Sequence, residues 1–159
     1  EQAVSPVIAV ILMVAITVVL AAVLYVWASS FLGGTTKNAP TGSMIASEDG
    51  SGVWTVQIVK INPQVSVNSV HWYLLDVQGN TKTDGLVSDV YGYYSGQGKA
   101  VVFIDNDFNG KLSPGDKFEV HPGEADSDLA SVSDVSDYSF RMKFEPTGDV
   151  IGYDISLQS

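Results

Sequence analysis

Twelve consecutive residues carry the strongest chemical signal in this chain: Asp105-Asn106-Asp107-Phe108-Asn109-Gly110-Lys111-Leu112-Ser113-Pro114-Gly115-Asp116. Asp105, Asp107 and Asn109 place oxygen-bearing side chains at the first, third and fifth positions, and Gly110 supplies the sharp turn at the sixth. Ser113 and Asp116 follow at the ninth and twelfth. That is the spacing of a calcium loop, in which a hard divalent cation is held by converging oxygens, and the carbonyl of Lys111 is a further candidate ligand. Two departures stand out. The twelfth residue is Asp116 instead of the longer Glu, and Pro114-Gly115 blocks an exiting helix, so the loop is expected to join two strands. A bound Ca2+ would act structurally, as a staple. The alternative is an acidic hairpin loop, because Asp, Asn and Gly are also what any tight turn selects.

Other chemistry is thin. His71 sits in a strand-like run beside Trp72, and His121 precedes Pro122; both read as structural. There is no nucleophile elbow, phosphate loop or zinc spacing, and Gly96-Gln97-Gly98 is a loop and not a dinucleotide fingerprint, so the sequence does not read as an enzyme. Tyr91, Tyr93 and Tyr94 flank Gly92 and form either a binding surface or a strand edge over the core.

The elements that must position these residues divide the chain in two. After Glu1 no charged residue occurs before Lys37, and residues 3–32 are almost wholly aliphatic or aromatic. The sequence opens directly on this stretch, as a processed mature chain that keeps its apolar segment is expected to do. Ser5-Pro6 reads as N-cap and first helical residue, and Gly33-Gly34 as the stop, giving a helix of about 26 residues, roughly 40 Å long, against a hydrocarbon core of about 30 Å. Ala15, Ala22 and Ser29 recur at heptad spacing with Ala21 and Ala28 beside them, a candidate stripe for close helix packing. Residues 35–52 have the Gly, Ser, Thr, Asn and Pro content of a linker, leaving 53–159 as one head domain.

In the head the period becomes two. Candidate strands are 53–61, 70–77, 86–91, 99–104, 117–121 and a hairpin of 138–145 with 151–158, while 124–137 reads as an exposed acidic loop. The fold class expected is α+β: a long apolar helix followed by an all-β, immunoglobulin-like antiparallel sandwich. There are no cysteines, so the core stands on apolar packing and on any metal. All 8 basic residues and all but one of the 18 acidic ones lie at or beyond Lys37, which makes the head strongly acidic and duplex nucleic acid an unsuitable partner.

The run Ala3-Val4-Ser5-Pro6-Val7-Ile8-Ala9-Val10-Ile11-Leu12-Met13-Val14-Ala15-Ile16-Thr17-Val18-Val19-Leu20-Ala21-Ala22 closely resembles the N-terminal domain of archaeal type IV pilins. Trp54, the Asp-Asn-Asp loop leading into Leu112-Ser113-Pro114-Gly115-Asp116, and Pro146-Thr147-Gly148 before Ile151-Gly152 look like features of the same family. The resemblance implies a precursor in the cytoplasmic membrane, surrounded by lipid and cut by a prepilin peptidase. An assembly ATPase and its platform would then polymerise it with identical subunits into an extracellular adhesive filament. Ser5 replaces the Glu usual at that position in bacterial type IV pilins, and the helix lacks their mid-segment breakers. The remaining alternatives are an archaellum-like or minor pilin subunit, or a monomeric membrane-anchored, calcium-dependent binding module.

Overall fold

The computed structural model describes residues 4–32, 38–94 and 97–158, in two compact units that divide after Lys37. In the first unit a single helix α1 (Val4–Leu32) spans 29 residues, about 43 Å at 1.5 Å per residue. It starts one residue before Ser5, which therefore lies inside the helix and is not its N-cap. Pro6 is nevertheless harmless, because the first four N–H groups of a helix have no intrahelical partner. The Gly33-Gly34 stop lies outside the described residues. Thr17 Oγ1 donates to the Met13 carbonyl at 2.8 Å and Ser29 Oγ to that of Tyr25, so these hydroxyls are satisfied within the helix itself.

The second unit is all β, and with α1 the chain is α+β. Its strands are β1 (Thr41–Glu48), β2 (Trp54–Asn62), β3 (Val65–Ser66), β4 (Val70–Leu75), β5 (Thr81–Leu86), β6 (Val101–Ile104), β7 (Lys111–Leu112), β8 (Lys117–Val120), β9 (Ser139–Phe144), β10 (Asp149–Val150) and β11 (Ile155–Ser156). One antiparallel sheet runs β1-β2-β8-β6, and a second runs β10-β9-β4-β5 with β11 also on β9; β3 and β7 form a small ladder between neighbouring loops. Alternate residues of both sheets point into one core: Trp54, Val56 and Ile58 of β2 and Phe118 and Val120 of β8 meet Trp72 and Leu74 of β4 and Phe140 and Met142 of β9. Phe118 joins the two sheets, its ring centroid 4.9 Å from Phe103 and 4.8 Å from Phe140.

Several expectations are corrected. Residues 41–48, inside the stretch read as a linker, are strand β1, paired with β2 and sending Met44 and Ala46 toward the core. Of residues 86–91 only Leu86 lies in a strand, as the last residue of β5: Val87–Asp89 form a 3-10 turn, and Val87 and Val90, three apart, are the buried pair. The preceding TKTDGL segment is the strand instead. In the return arm of the last hairpin, Gly152 adopts φ +70°, where a Cβ would collide with the Gly42 carbonyl; the alternation breaks there and Tyr153 is 87% exposed. Residues 124–137 are irregular as expected, yet Leu129 and Val135 are fully buried, so this segment also covers the core.

Candidate metal centre and apolar helix

The loop between β6 and β8 brings three carboxyl groups together. Strands β6 and β8 are adjacent and antiparallel, so Asp105 leaves the end of one as Asp116 enters the other. The intervening residues are tied to their surroundings from both sides. Gly110 accepts from Val67 N–H at 3.2 Å, Gly115 N–H donates to the Ile58 carbonyl at 2.8 Å, and Ile58 N–H donates to the Asp116 carbonyl at 2.8 Å. Gly110 has φ +70° and Phe108 φ +56°, the left-handed conformations that fold the loop back on itself. As a result Asp105, Asp107 and Asp116 each present an oxygen within 4.8 Å of the other two.

A carboxylate has about four lone-pair sites, and their use here is uneven. Asp116 accepts from Asn106 N–H at 2.9 Å on Oδ1, and from Ser113 N–H and Oγ, both at 2.8 Å, on Oδ2. Asp105 Oδ2 accepts from Gly110 N–H at 2.8 Å and from the Tyr91 hydroxyl at 3.1 Å; Asp107 Oδ2 accepts from Asn109 Nδ2 at 2.7 Å and lies 3.0 Å from Ser113 Oγ, whose single proton it shares with Asp116. Asp105 Oδ1, by contrast, is buried with no hydrogen-bond partner. Asp105 is 6% exposed, Asp116 1% and Ser113 2%. No Lys, Arg or His among the described residues forms an ion pair with any of the three acids. Two like charges about 4 Å apart repel by about 4 kcal/mol at an effective dielectric of 20, so this concentration of carboxylates calls for a counter-charge.

Burial sets the direction of the Asp116 pKa, pushing it up against the donors from Asn106 and Ser113. For Asp105 burial also raises the pKa, but the donors outweigh it, foremost Gly110 N–H, and the net shift is downward. Asp105 therefore favours its charged form despite its burial. Desolvation raises the pKa of Tyr91, as does its donated bond to Asp105.

Of the six residues expected as ligands, the loop gathers Asp105, Asp107, Ser113 and Asp116 by direct contact. Asn109 is turned: its Oδ1 accepts from Lys111 N–H at 2.7 Å and its amide nitrogen faces Asp107. Lys111 is exposed in β7, opposite Ser66. Tyr91 was not marked as part of this site. It arrives through a parallel bridge to Phe103, one strand residue before the loop begins, and no spacing rule couples the two. Tyr91, Tyr93, Tyr94 and Phe108 line a groove of about 380 Å3 beside the loop, with Phe108 85% exposed.

The histidines lie elsewhere. His71 is held between Asp84 (Nε2 to Oδ2, 2.6 Å) and Glu145 (Nδ1 to Oε1, 3.1 Å) and stacks on Tyr73; His121 is buried with Nε2 3.5 Å from Glu119 Oε2. Among the described residues neither is hydrogen-bonded to a serine, threonine or lysine in the manner of an activated nucleophile.

On α1 the expected packing residues Ala15, Ala21, Ala22 and Ser29 are exposed and Ala28 is half-buried. Ala15 lines a shallow hollow with Ile16, Val19 and Leu20, and Ala22 another with Val23, Val26 and Trp27. The stretch Ser5–Ser29 is long and apolar enough to cross a membrane. No curated protein and no solved structure matches the chain. Residues 2–43, which take in all of α1 and the start of β1, match the family model described as archaeal type IV pilin, N-terminal.

Proposed function

We propose that the chain is an archaeal type IV pilin, a structural subunit that polymerises through α1 into an extracellular helical filament for surface attachment. One observation carries the reading: over Ser5–Ser29 α1 is apolar on every side, and a lone helix covers none of that surface itself. A helix apolar on every side cannot stay in water, since uncovered apolar surface costs about 25 cal/mol per Å2. Lipid can cover it in the precursor, and the same helices of neighbouring subunits can cover it in a filament. Assembly then exchanges one apolar environment for another. The hydrophobic effect contributes little to that exchange, so its preference must come from close packing, for which the hollows at Ala15 and Ala22 offer room.

Heterologous contacts that do not close into a ring build an open helix of identical subunits. With α1 in the interior, the acidic heads would form the outer coat, where like charge keeps fibres apart until salt screens it. A prepilin peptidase and an assembly ATPase with its platform are the partners this reading requires during biogenesis, with the cytoplasmic membrane as the site of the precursor. Cryo-electron microscopy of material sheared from producing cells tests it. Thin fibres with apolar helices at the axis and β-rich heads outside are expected; finding the protein only in membranes, never in fibres, overturns the reading.

A further inference from the structure

We propose that the 105–116 loop is a calcium site, with Asp105, Asp107 and Asp116 as the carboxylate ligands and the unpartnered Asp105 Oδ1 as its innermost oxygen. The inference is independent of how, or whether, the subunit assembles. Three observations converge on it. The three carboxylates present oxygens within 4.8 Å of one another, with no basic side chain paired to them among the described residues. Every acceptor site on Asp105 Oδ2 is filled, by Gly110 N–H and the Tyr91 hydroxyl, whereas Oδ1 is buried and empty-handed. An acceptor withdrawn from water and left without a donor is unfavourable, and beside two further carboxylates the natural complement of such an oxygen is a cation.

The chemistry of the donors selects the ion. All the available atoms are oxygens, most of them carboxylate, which suits a hard cation and not zinc or copper. Calcium takes six to eight oxygens in a flexible shell, and this loop offers three carboxylates, the Ser113 hydroxyl, the Asn109 amide and backbone carbonyls, with water to complete the set. Magnesium demands near-ideal octahedral geometry and keeps most of its water, a poorer match to a cluster in which two acids are buried. Asn109 would have to exchange its two amide atoms to turn an oxygen toward the cluster, giving up the bonds to Asp107 and Lys111 N–H. The ion would lock β6 to β8 and, through Asp105 and Tyr91, brace the floor of the aromatic groove beside the loop.

The test uses the full-length chain in detergent, freed of metal by a chelator and titrated with CaCl2, with terbium(III) as a luminescent stand-in. One saturable site per chain is expected, with terbium displaced by calcium and a higher melting temperature in calcium than in chelator. Asp107→Asn, an isosteric change at an exposed position, should weaken binding by about tenfold or more, because affinity follows ligand charge. Asp126→Asn, an exposed acid in the 124–137 segment, should leave it unchanged. The absence of a saturable site in the unsubstituted chain, or a site equally affected by Asp126→Asn, overturns the proposal, as does one indifferent to Asp107→Asn.

Discussion

Val19 and Val56 are the same residue in opposite surroundings, 61% exposed on α1 and 0% exposed in β2. The contrast runs through both units. The large apolar side chains of α1 are between 52% and 75% exposed from Val7 to Trp27, whereas Trp54, Phe103, Phe118 and Phe140 are at most 1% exposed. The head buries its apolar surface against itself, by alternating inward residues from two sheets. A lone helix has no second layer within its own unit to pack against, so the medium that covers its apolar surface must come from outside that unit. Stability of the head is therefore written in its own sequence, while the helix is specified for an environment.

Altering each unit in turn and asking whether the other responds tests whether the two are separate in energy. Ala15→Phe with Ala22→Phe fills the two hollows on α1 without making the helix less apolar. We expect fibres to be lost and membrane insertion to be retained, because lipid accommodates a ring that a close helix neighbour cannot. Fibre yield by electron microscopy, set against the membrane-fraction signal, measures this. Normal fibres would mean that these hollows do not pack against another helix.

Phe118→Ala makes the reciprocal change. It removes the ring that touches both Phe103 and Phe140 and so couples the sheets. A buried Phe→Ala substitution costs about 3–5 kcal/mol, and denaturant unfolding of the detergent-solubilised chain, followed through the buried Trp54 and Trp72, should show a loss of that size. Helix insertion should be unaffected. If the variant no longer enters the membrane, the two units are not energetically separate.

How much of this was visible beforehand depends on how many neighbours a segment has. The central strands β2, β4, β8 and β9 are flanked on both sides and carry clear inward alternation, as in Trp54, Val56, Ile58 and Phe140, Met142, Phe144. Edge strands β1 and β5 pair with one strand each, so TGSMIASE and TKTDGL can be polar and Gly-containing and still form ladder bonds. Composition alone made the first a linker and hid the second. The segment LVSDVY misled in the other direction: it is rich in β-formers, but the buried pair is Val87 and Val90, at the spacing of a 3-10 turn. At the 105–116 loop, the convergence of Asp105, Asp107 and Asp116 followed from the spacing of acids around a turn at Gly110. The Asn109 amide orientation and the Tyr91 bond did not, because both depend on hydrogen bonds that no local pattern encodes.

A smaller effect is expected at Gly152, where the head relies on backbone freedom instead of burial. Its φ of +70° is strained for any L side chain, and a Cβ would meet the Gly42 carbonyl, so Gly152→Ala must distort the contact between the β9–β11 connection and β1. A residue forced into a sparsely populated region costs about 1–3 kcal/mol. The same unfolding measurement should report a loss in that range. A variant as stable as the parent would show that β1, which borders this contact, yields without loss and belongs only loosely to the head.

The least effect should come from Asp154→Asn, although the interaction it removes has the best geometry among the ion pairs. Arg141 Nε and a terminal nitrogen reach the two Asp154 oxygens at 2.8 and 2.6 Å, a bidentate arrangement. Both side chains remain more than a third exposed, 38% and 36%, so water and salt screen the charges and the pair is held at the expense of side-chain freedom. An exposed pair of this kind contributes about 1 kcal/mol or less, several times below Phe118→Ala. Raising the salt concentration should shrink even that difference between parent and variant, while leaving the Phe118→Ala deficit intact, since apolar packing is not screened. An Asp154→Asn loss that rivals the core substitution, or that is indifferent to salt, would mean that the head is held by its charges as much as by its core, and the contrast with α1 would then rest on more than burial.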